Sequence, residues 1–273
     1  MKLILVTGAA GGVAEMIRPI LRTHYRLRLS DRMPVMSLTS DETFVAADLG
    51  DIPALRRAIA GVDGIVHLGG VASERDWETI AAANISGTYN ILEAARLEGV
   101  RRLIFASSNH VMGFYPRAQT IATELSVRPD SRYALSKAFG EAAGSLYADK
   151  YGAEVLSVRI GHILPAPATP KDLAIWLSPR DFCQIIRIGL ETSGLRHEII
   201  YGASDNKRSW WDNANATRLG YRPEDHSEDH AAAILAKGDG MTGDPRRDLT
   251  QGGAFCVVES HLPSLSGEPV IVD

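Results

Sequence analysis

The sequence predicts an α/β fold, a doubly wound parallel sheet with a small C-terminal lobe, on three observations. Through the first 161 residues, short apolar runs alternate with amphipathic helical stretches, the repeated βαβ order of a sheet with helices on both faces. Several of these runs are rich in β-branched residues and free of charge, as strands buried on both sides must be. The first run opens directly into a glycine-rich turn and then a helix. At 273 residues the chain buries enough surface on folding to hold such a sheet without staples.

Taken in order, the run at 3–6 reads as the first strand, and those at 25–29, 44–46, 64–68, 103–106 and 155–158 as the next five. Helical periodicity fills the intervals at 12–23, 52–60, 77–98 and 131–151. The texture changes after Gly161: prolines at 165, 167 and 170 break any helix, so a surface loop is expected there. Ser178-Pro179-Arg180-Asp181 reads as an N-cap followed by proline at the first helical position, opening a helix through Leu190. Residues 198–201 read as one more strand, and from Trp210 onward the apolar content is thin and discontinuous. The expectation is one continuous domain, with residues 1–161 as the core and residues 162–273 mostly a covering lobe with some elements returning to the core.

Composition excludes several classes of function. A net charge of −4 without any block of like charge gives no footprint for nucleic acid. Cys183 and Cys256 are too few for a disulfide framework and lack metal-ligand spacing. The N-terminal apolar run is too short for a signal peptide, and no stretch approaches the roughly 18 apolar residues of a membrane span. A soluble cytoplasmic protein with no membrane partner is expected.

The turn Thr7-Gly8-Ala9-Ala10-Gly11-Gly12-Val13-Ala14 follows the first strand. Gly8 permits the tight bend, and Gly11 lets the backbone approach a pyrophosphate. Ala10, Gly12 and Val13 complete the loop, and the phosphates rest on the helix N-terminus, where free N–H groups favour negative charge. Ala14 stands in place of the third glycine and still allows close packing. Asp31 ends the second strand, where a carboxylate takes the ribose 2′-hydroxyl and repels a 2′-phosphate, so NAD is favoured over NADP. Arg32 beside it softens that preference. Asp48 and Leu49, after the third strand, are placed to meet the adenine.

A second constellation concerns proton transfer. Tyr133 and Lys137 are four residues apart and therefore share a helical face. A lysine cation beside a phenol favours the phenolate and makes tyrosine usable as a base near neutral pH. Phe105-Ala106-Ser107-Ser108-Asn109-His110 closes the fifth strand at the carboxyl edge of the sheet, where open α/β folds bind ligands. Asn84, within the 77–98 helix, is a plausible proton-relay position.

Gly8 and Gly11, Asp31, Asp48, His67-Leu68-Gly69-Gly70, Asn84 with Gly87-Thr88, Ser107-Ser108 and Tyr133 with Lys137 together resemble the extended short-chain dehydrogenase/reductases, which carry a Rossmann fold. Ile65-Val66-His67-Leu68-Gly69-Gly70, Ser107-Ser108-Asn109-His110, Gly113-Phe114-Tyr115-Pro116, Tyr201-Gly202-Ala203-Ser204, Trp210-Trp211-Asp212-Asn213 and Gln251-Gly252-Gly253-Ala254-Phe255 narrow the resemblance to the bacterial uronate dehydrogenases. That family oxidises the anomeric carbon of a pyranose uronic acid to an aldarolactone with NAD. The resemblance implies Tyr133 as base, Ser108 as hydrogen-bond donor to the reacting oxygen, and Lys137 on the nicotinamide ribose. It implies cofactor contacts from Leu68, Gly69, Gly70, Asn84 and Ser107, and substrate contacts from Ala72, Ser73, Asn109, His110, Lys171 and Phe255. A homo-oligomer paired through the helices at 77–98 and 131–151 is a further implication.

The chain departs from that pattern where the substrate's acid group would be read. Ala72 stands where the family has serine, with Ser73 one place later. Pro170-Lys171 replaces adjacent arginines, a point charge in place of a bidentate fork, and, near the nicotinamide, His162 replaces another serine. Oxidation of a neutral aldose is therefore an alternative, as is a nucleotide-sugar epimerase or dehydratase. A non-catalytic NAD sensor would not need Tyr133, Lys137 and Ser108 together. His67 reads equally as a buried histidine or a cofactor contact, and Trp210-Trp211 as packing or a stacking platform. The acidic and histidine-rich run from Asp225 to His230 reads as a solvated face, with no metal expected.

Overall fold

The computed structural model describes residues 1–260. Seven strands form one parallel sheet: β1 (Leu3–Thr7), β2 (Arg26–Asp31), β3 (Glu42–Ala46), β4 (Gly64–His67), β5 (Arg102–Ser108), β6 (Glu154–Ile160) and, after two short strands named below, β9 (His197–Gly202). Their spatial order is β3-β2-β1-β4-β5-β6-β9, and every neighbouring pair is parallel. The order reverses between β1 and β4, and such a switch point opens a crevice beyond the carboxyl ends of the strands.

Charge-free strands are buried here for the expected reason. Ile4 and Val6 of β1 point into one apolar core, shared with Ile17 and Leu21 of helix α1 (Gly12–Leu21). Leu5 points into the other, with Leu55 and Ile59 of α2 (Ile52–Ile59). Alternation along one strand thus feeds both layers.

The helix expected at 77–98 is one rod in three parts: α3 (Trp77–Ile80), a π-helical segment (Ala81–Ser86) and α4 (Gly87–Leu97). The wider turn lies where Asn84 is buried. Helix α5 (Arg132–Tyr151) begins on the Ser131 hydroxyl, which accepts the Ala134 N–H at 3.1 Å, and ends on Gly152 in the left-handed region at φ 71°. Both devices are standard terminators of a helix.

Beyond β6, the short strands β7 (His162–Ile163) and β8 (Trp176–Leu177) pair in parallel around α6 (Asp172–Ile175). Helix α7 (Pro179–Glu191) opens on Ser178, whose hydroxyl accepts the Asp181 N–H at 3.0 Å. It packs through Phe182, Ile185 and Ile186 into the same core as α1, and β9 closes the sheet's edge. Trp210 and Trp211 are buried, and Trp211 stacks on Tyr201 with ring centres 4.8 Å apart; they pack the lobe. In the run from Asp225 to His230, Asp225 pairs with Arg180, His226 with Asp205 and Glu228 with Arg208. Among the described residues no helix is long and apolar enough to cross a membrane.

Candidate active site

A cleft of about 890 Å³ runs over the carboxyl ends of the strands, large enough for a dinucleotide and a small second ligand. At one end Gly8 takes φ +68°, and a Cβ there would stand 2.7 Å from the Gly69 nitrogen. Only glycine lets the first turn lie against the loop after β4. Gly11 caps α1 without any side-chain hydrogen bond, so the first helical N–H groups are open to the cleft. Space above Gly12 is clear for 4 Å, and Val13 lines the wall. The cradle fits a pyrophosphate.

Asp31 and Arg32 line the cleft at the end of β2, and Asp48 and Leu49 at the end of β3. Asp31 accepts the Ala10 N–H at 3.1 Å and the Met33 N–H at 3.0 Å. Ala10 stands outside the cleft lining, and its N–H is spent on Asp31. Leu68, Gly69 and Gly70 line the opposite wall. Gly70 has φ +137°, and a Cβ there would meet Asn84 Oδ1 at 2.7 Å.

Asn84 is likewise not part of the lining. It lies behind the wall: its Oδ1 accepts the Val71 N–H at 2.7 Å, and its Nδ2 donates to the Val71 carbonyl and to Ser136 Oγ, both at 3.0 Å. An amide so committed shapes the loop, with both of its N–H groups already donated. His67 is buried and outside the lining too. Its Nδ1 lies 2.7 Å from Thr7 Oγ1, which also accepts the Gly69 N–H. Burial, with Lys137 nearby, pushes its ring down to about 3, so it is neutral in the fold.

The catalytic candidates meet where β5 faces the start of α5. Ser107, Ser108, Tyr133 and Lys137 all line the cleft and all are buried. Glu74 receives the Arg132 and Tyr133 N–H groups, satisfying free donors at the first turn of α5. Burial raises the Tyr133 phenol above its ordinary value, and a hydrogen bond with the Ser108 hydroxyl works the other way. Spacing pointed to Lys137 as the lowering group. In the structure its ammonium stands 5.7 Å from the centre of the tyrosine ring and 5.1 Å from that of Phe105. Burial pushes Lys137 itself down to about 8.

Underneath lies a network that the sequence did not reveal. Glu141, one turn beyond Lys137, accepts Ser107 Oγ at 2.6 Å and both Nε and Nη2 of Arg159 at 2.9 Å. Ser107 and Arg159 face each other in the register of β5 and β6. Ser107 thus ties the end of β5 to α5, and the bidentate Arg159 pair ties the end of β6 to the same helix.

At the far end His110 and Phe255 line the cleft with ring centres 4.1 Å apart. His110 Nδ1 lies 2.7 Å from Asp130 Oδ2. That carboxylate is wedged between Gly113 and Gly252, where any Cβ would come within about 2 Å of it. Ala72 and His162 also line this end. His162 Nδ1 is 2.7 Å from Asp172 Oδ1, whose partner oxygen accepts the Ala168 and Thr169 N–H groups.

Three expected substrate contacts are not part of this lining. Ser73 and Asn109 stand outside the wall, and Asn109 is buried with Nδ2 unpartnered among the described residues. The Lys171 ammonium donates to the Gly252 carbonyl at 2.9 Å. Burial and the nearby Arg117 push it down to about 8. Asp130, Asp172, Glu74 and Glu141 were missed by sequence reasoning, since acids far apart in the chain carry no local sign of the group each one holds.

The sequence matches the NAD dependent epimerase/dehydratase family over residues 4–214. The chain belongs to that family. It is 45% identical to a uronate dehydrogenase of Pseudomonas putida across 93% of this chain and 95% of that protein. Among solved structures, a glucuronic acid dehydrogenase from Chromohalobacter salexigens superposes with a TM-score of 0.90 at 44% identity, covering 93% of this chain and 96% of that one. A mutant uronate dehydrogenase from Agrobacterium tumefaciens complexed with NAD gives 0.90 at 38% identity, covering 94% and 97%. The Rossmann-type sheet, read from the sequence as doubly wound, is thereby the family's fold.

Proposed function

We propose that this chain is an NAD-dependent dehydrogenase that oxidises the anomeric carbon of a hexuronic acid, galacturonate or glucuronate, to an aldarolactone. The observation that carries the reading is the placement of Ser108, Tyr133 and Lys137 in one cleft with an open glycine cradle. NAD, when bound, supplies the hydride acceptor. Gly8, Gly11, Gly12 and Val13 would hold its pyrophosphate, Asp31 with Arg32 its adenosine ribose, Asp48 and Leu49 its adenine, and Lys137 its second ribose. Leu68, Gly69, Gly70 and Ser107 would complete the walls.

Ser108 donates to the C1 oxygen and holds it beside Tyr133. Tyr133 takes the hydroxyl proton as the C1 hydrogen leaves with its electron pair, and the ring hemiacetal becomes a lactone carbonyl. Because burial disfavours the phenolate, a cation near the ring matters, and Lys137 is the chain's own cation there. His110, aimed by Asp130, takes a sugar hydroxyl, and Phe255 covers the ring.

The test is NADH formation by purified protein given NAD with galacturonate, glucuronate, galactose or glucose. Rapid NADH formation with the uronates is expected. None with any sugar would overturn the reading and favour an epimerase or dehydratase that keeps its cofactor. We further infer a homo-oligomer paired along α4 and α5, on which Tyr89, Leu97, Leu135, Phe139 and Leu146 are exposed. A cytoplasmic setting agrees with Cys183 and Cys256, both buried free thiols.

A further inference from the structure

We infer that His162, aimed by the buried Asp172, recognises the carboxylate of the sugar acid in place of Lys171. The inference rests on the dehydrogenase reading above and assigns a specificity residue within that same site.

The polar side chains at the Tyr133 end of the cleft are few. Ser108 and Tyr133 are committed to the reacting hydroxyl. Lys137 lines the cleft 5.7 Å from the ring centre of Tyr133 and is assigned to the cofactor's second ribose. Among the described residues, the nearby cations Lys171 and Arg117 lie outside the cleft lining and donate to backbone carbonyls. Lys171 donates to the Gly252 carbonyl, and the turn sits so closely on it that a Cβ at Gly253 would stand 2.9 Å from Nζ. Arg117 donates through Nε to the Thr250 carbonyl and through Nη2 to that of Arg247. A carboxylate entering the cleft therefore meets imidazoles, and His110, in tilted contact with Phe255, is already assigned to a sugar hydroxyl.

His162 is built for the purpose from both sides. Its backbone is fixed by the pairing of β7 with β8, which sets His162 opposite Trp176. Gly161 before it lies so near the Ile175 carbonyl that no Cβ fits. Its side chain is half exposed, whereas that of Asp172 is 3% exposed, so the acid is a fixed anchor and the ring faces the cleft.

The donor count decides what the ring can hold. Asp172 takes the Nδ1 proton, so a neutral ring offers Nε2 only as an acceptor, which suits a hydroxyl. A carboxylate at Nε2 needs a second proton, and the acid is then held by an imidazolium whose charge Asp172 supports. The other titratable groups around it are Lys171 beside Asp172, and His110, Tyr133 and Lys137 lining the cleft.

The test compares initial rates on galacturonate and galactose at saturating NAD for wild type, His162→Gln and His162→Arg. His162→Gln should raise the galacturonate KM by about 10- to 100-fold, the range for a hydrogen bond to a charged group. Its kcat should change little and its galactose KM should rise by much less than its galacturonate KM, and His162→Arg, which restores a cation on a longer arm, should recover most of the galacturonate loss. An unchanged galacturonate KM in His162→Gln, or an equal rise for both sugars, would overturn the assignment. So would a rise in Lys171→Met that His162→Gln does not share. A wild-type enzyme that ignores uronates would instead remove the underlying reading, an outcome visible before any variant is made.

Discussion

At His67 the fold decides a question that the residue's neighbours in sequence leave open. The ring is fully buried beside Thr7, and burial holds it neutral with a pKa of about 3. An unfolded chain protonates the same ring near pH 6.5. Between those values the unfolded state binds one more proton, so stability falls as pH drops. From pH 7 to pH 5 this group alone removes about 2 kcal/mol. Urea melts at the two pH values should show His67→Gln losing less stability than wild type by that amount, and parallel losses would contradict the account. Of the cleft residues, those that act through backbone shape or local spacing were legible: Gly8, Asp31, Tyr133 and Lys137 each sit at a marked place in a βα unit. Asp130, Asp172 and Glu141 were not, because a buried carboxylate is recognisable only from the donor that another segment brings to it.

The first βα turn, as an element, was read almost residue by residue, since a phosphate cradle imposes strict demands on backbone conformation. Those demands give a sharp test. In Gly8→Ala the new methyl meets the backbone of Leu68 and Gly69 at a φ that alanine avoids. NAD affinity, measured by calorimetry, should drop by about tenfold or more, and unchanged affinity would contradict the cradle. The 77–98 helix was legible as a rod but not in its π-helical middle. The period of apolar residues survives one wide turn, while the contact that exploits it, Asn84 to Val71, is tertiary. The exposed apolar stripe on α5 is likewise an element-scale property. Leu135, Phe139 and Leu146 recur at helical spacing and are 47%, 36% and 52% exposed, which an isolated surface helix rarely tolerates. Leu146→Glu should convert the assembly to monomers in light scattering coupled to gel filtration. A wild type that is already monomeric would overturn the pairing.

For the molecule as a whole, sheet order places every argued function at one edge. The reversal between β1 and β4 opens the crevice, β5 and α5 bring Ser108 and Tyr133 to its middle, and the segments after β6 close its far end. The sheet was legible because parallel strands covered on both faces must be apolar throughout. The far end was less so. Its walls come from His110, His162 and Phe255, on segments without period, and Lys171 was expected there but turns to Gly252. The central claim is that Tyr133 drives oxidation of a uronic acid at its anomeric carbon. Nuclear magnetic resonance of galacturonate incubated with NAD and either wild type or Tyr133→Phe tests it most directly. The account predicts an aldarolactone formed in step with NADH by wild type, and a rate lower by about 10²- to 10⁴-fold in the variant. NADH without a lactone, or a variant as fast as wild type, would contradict it.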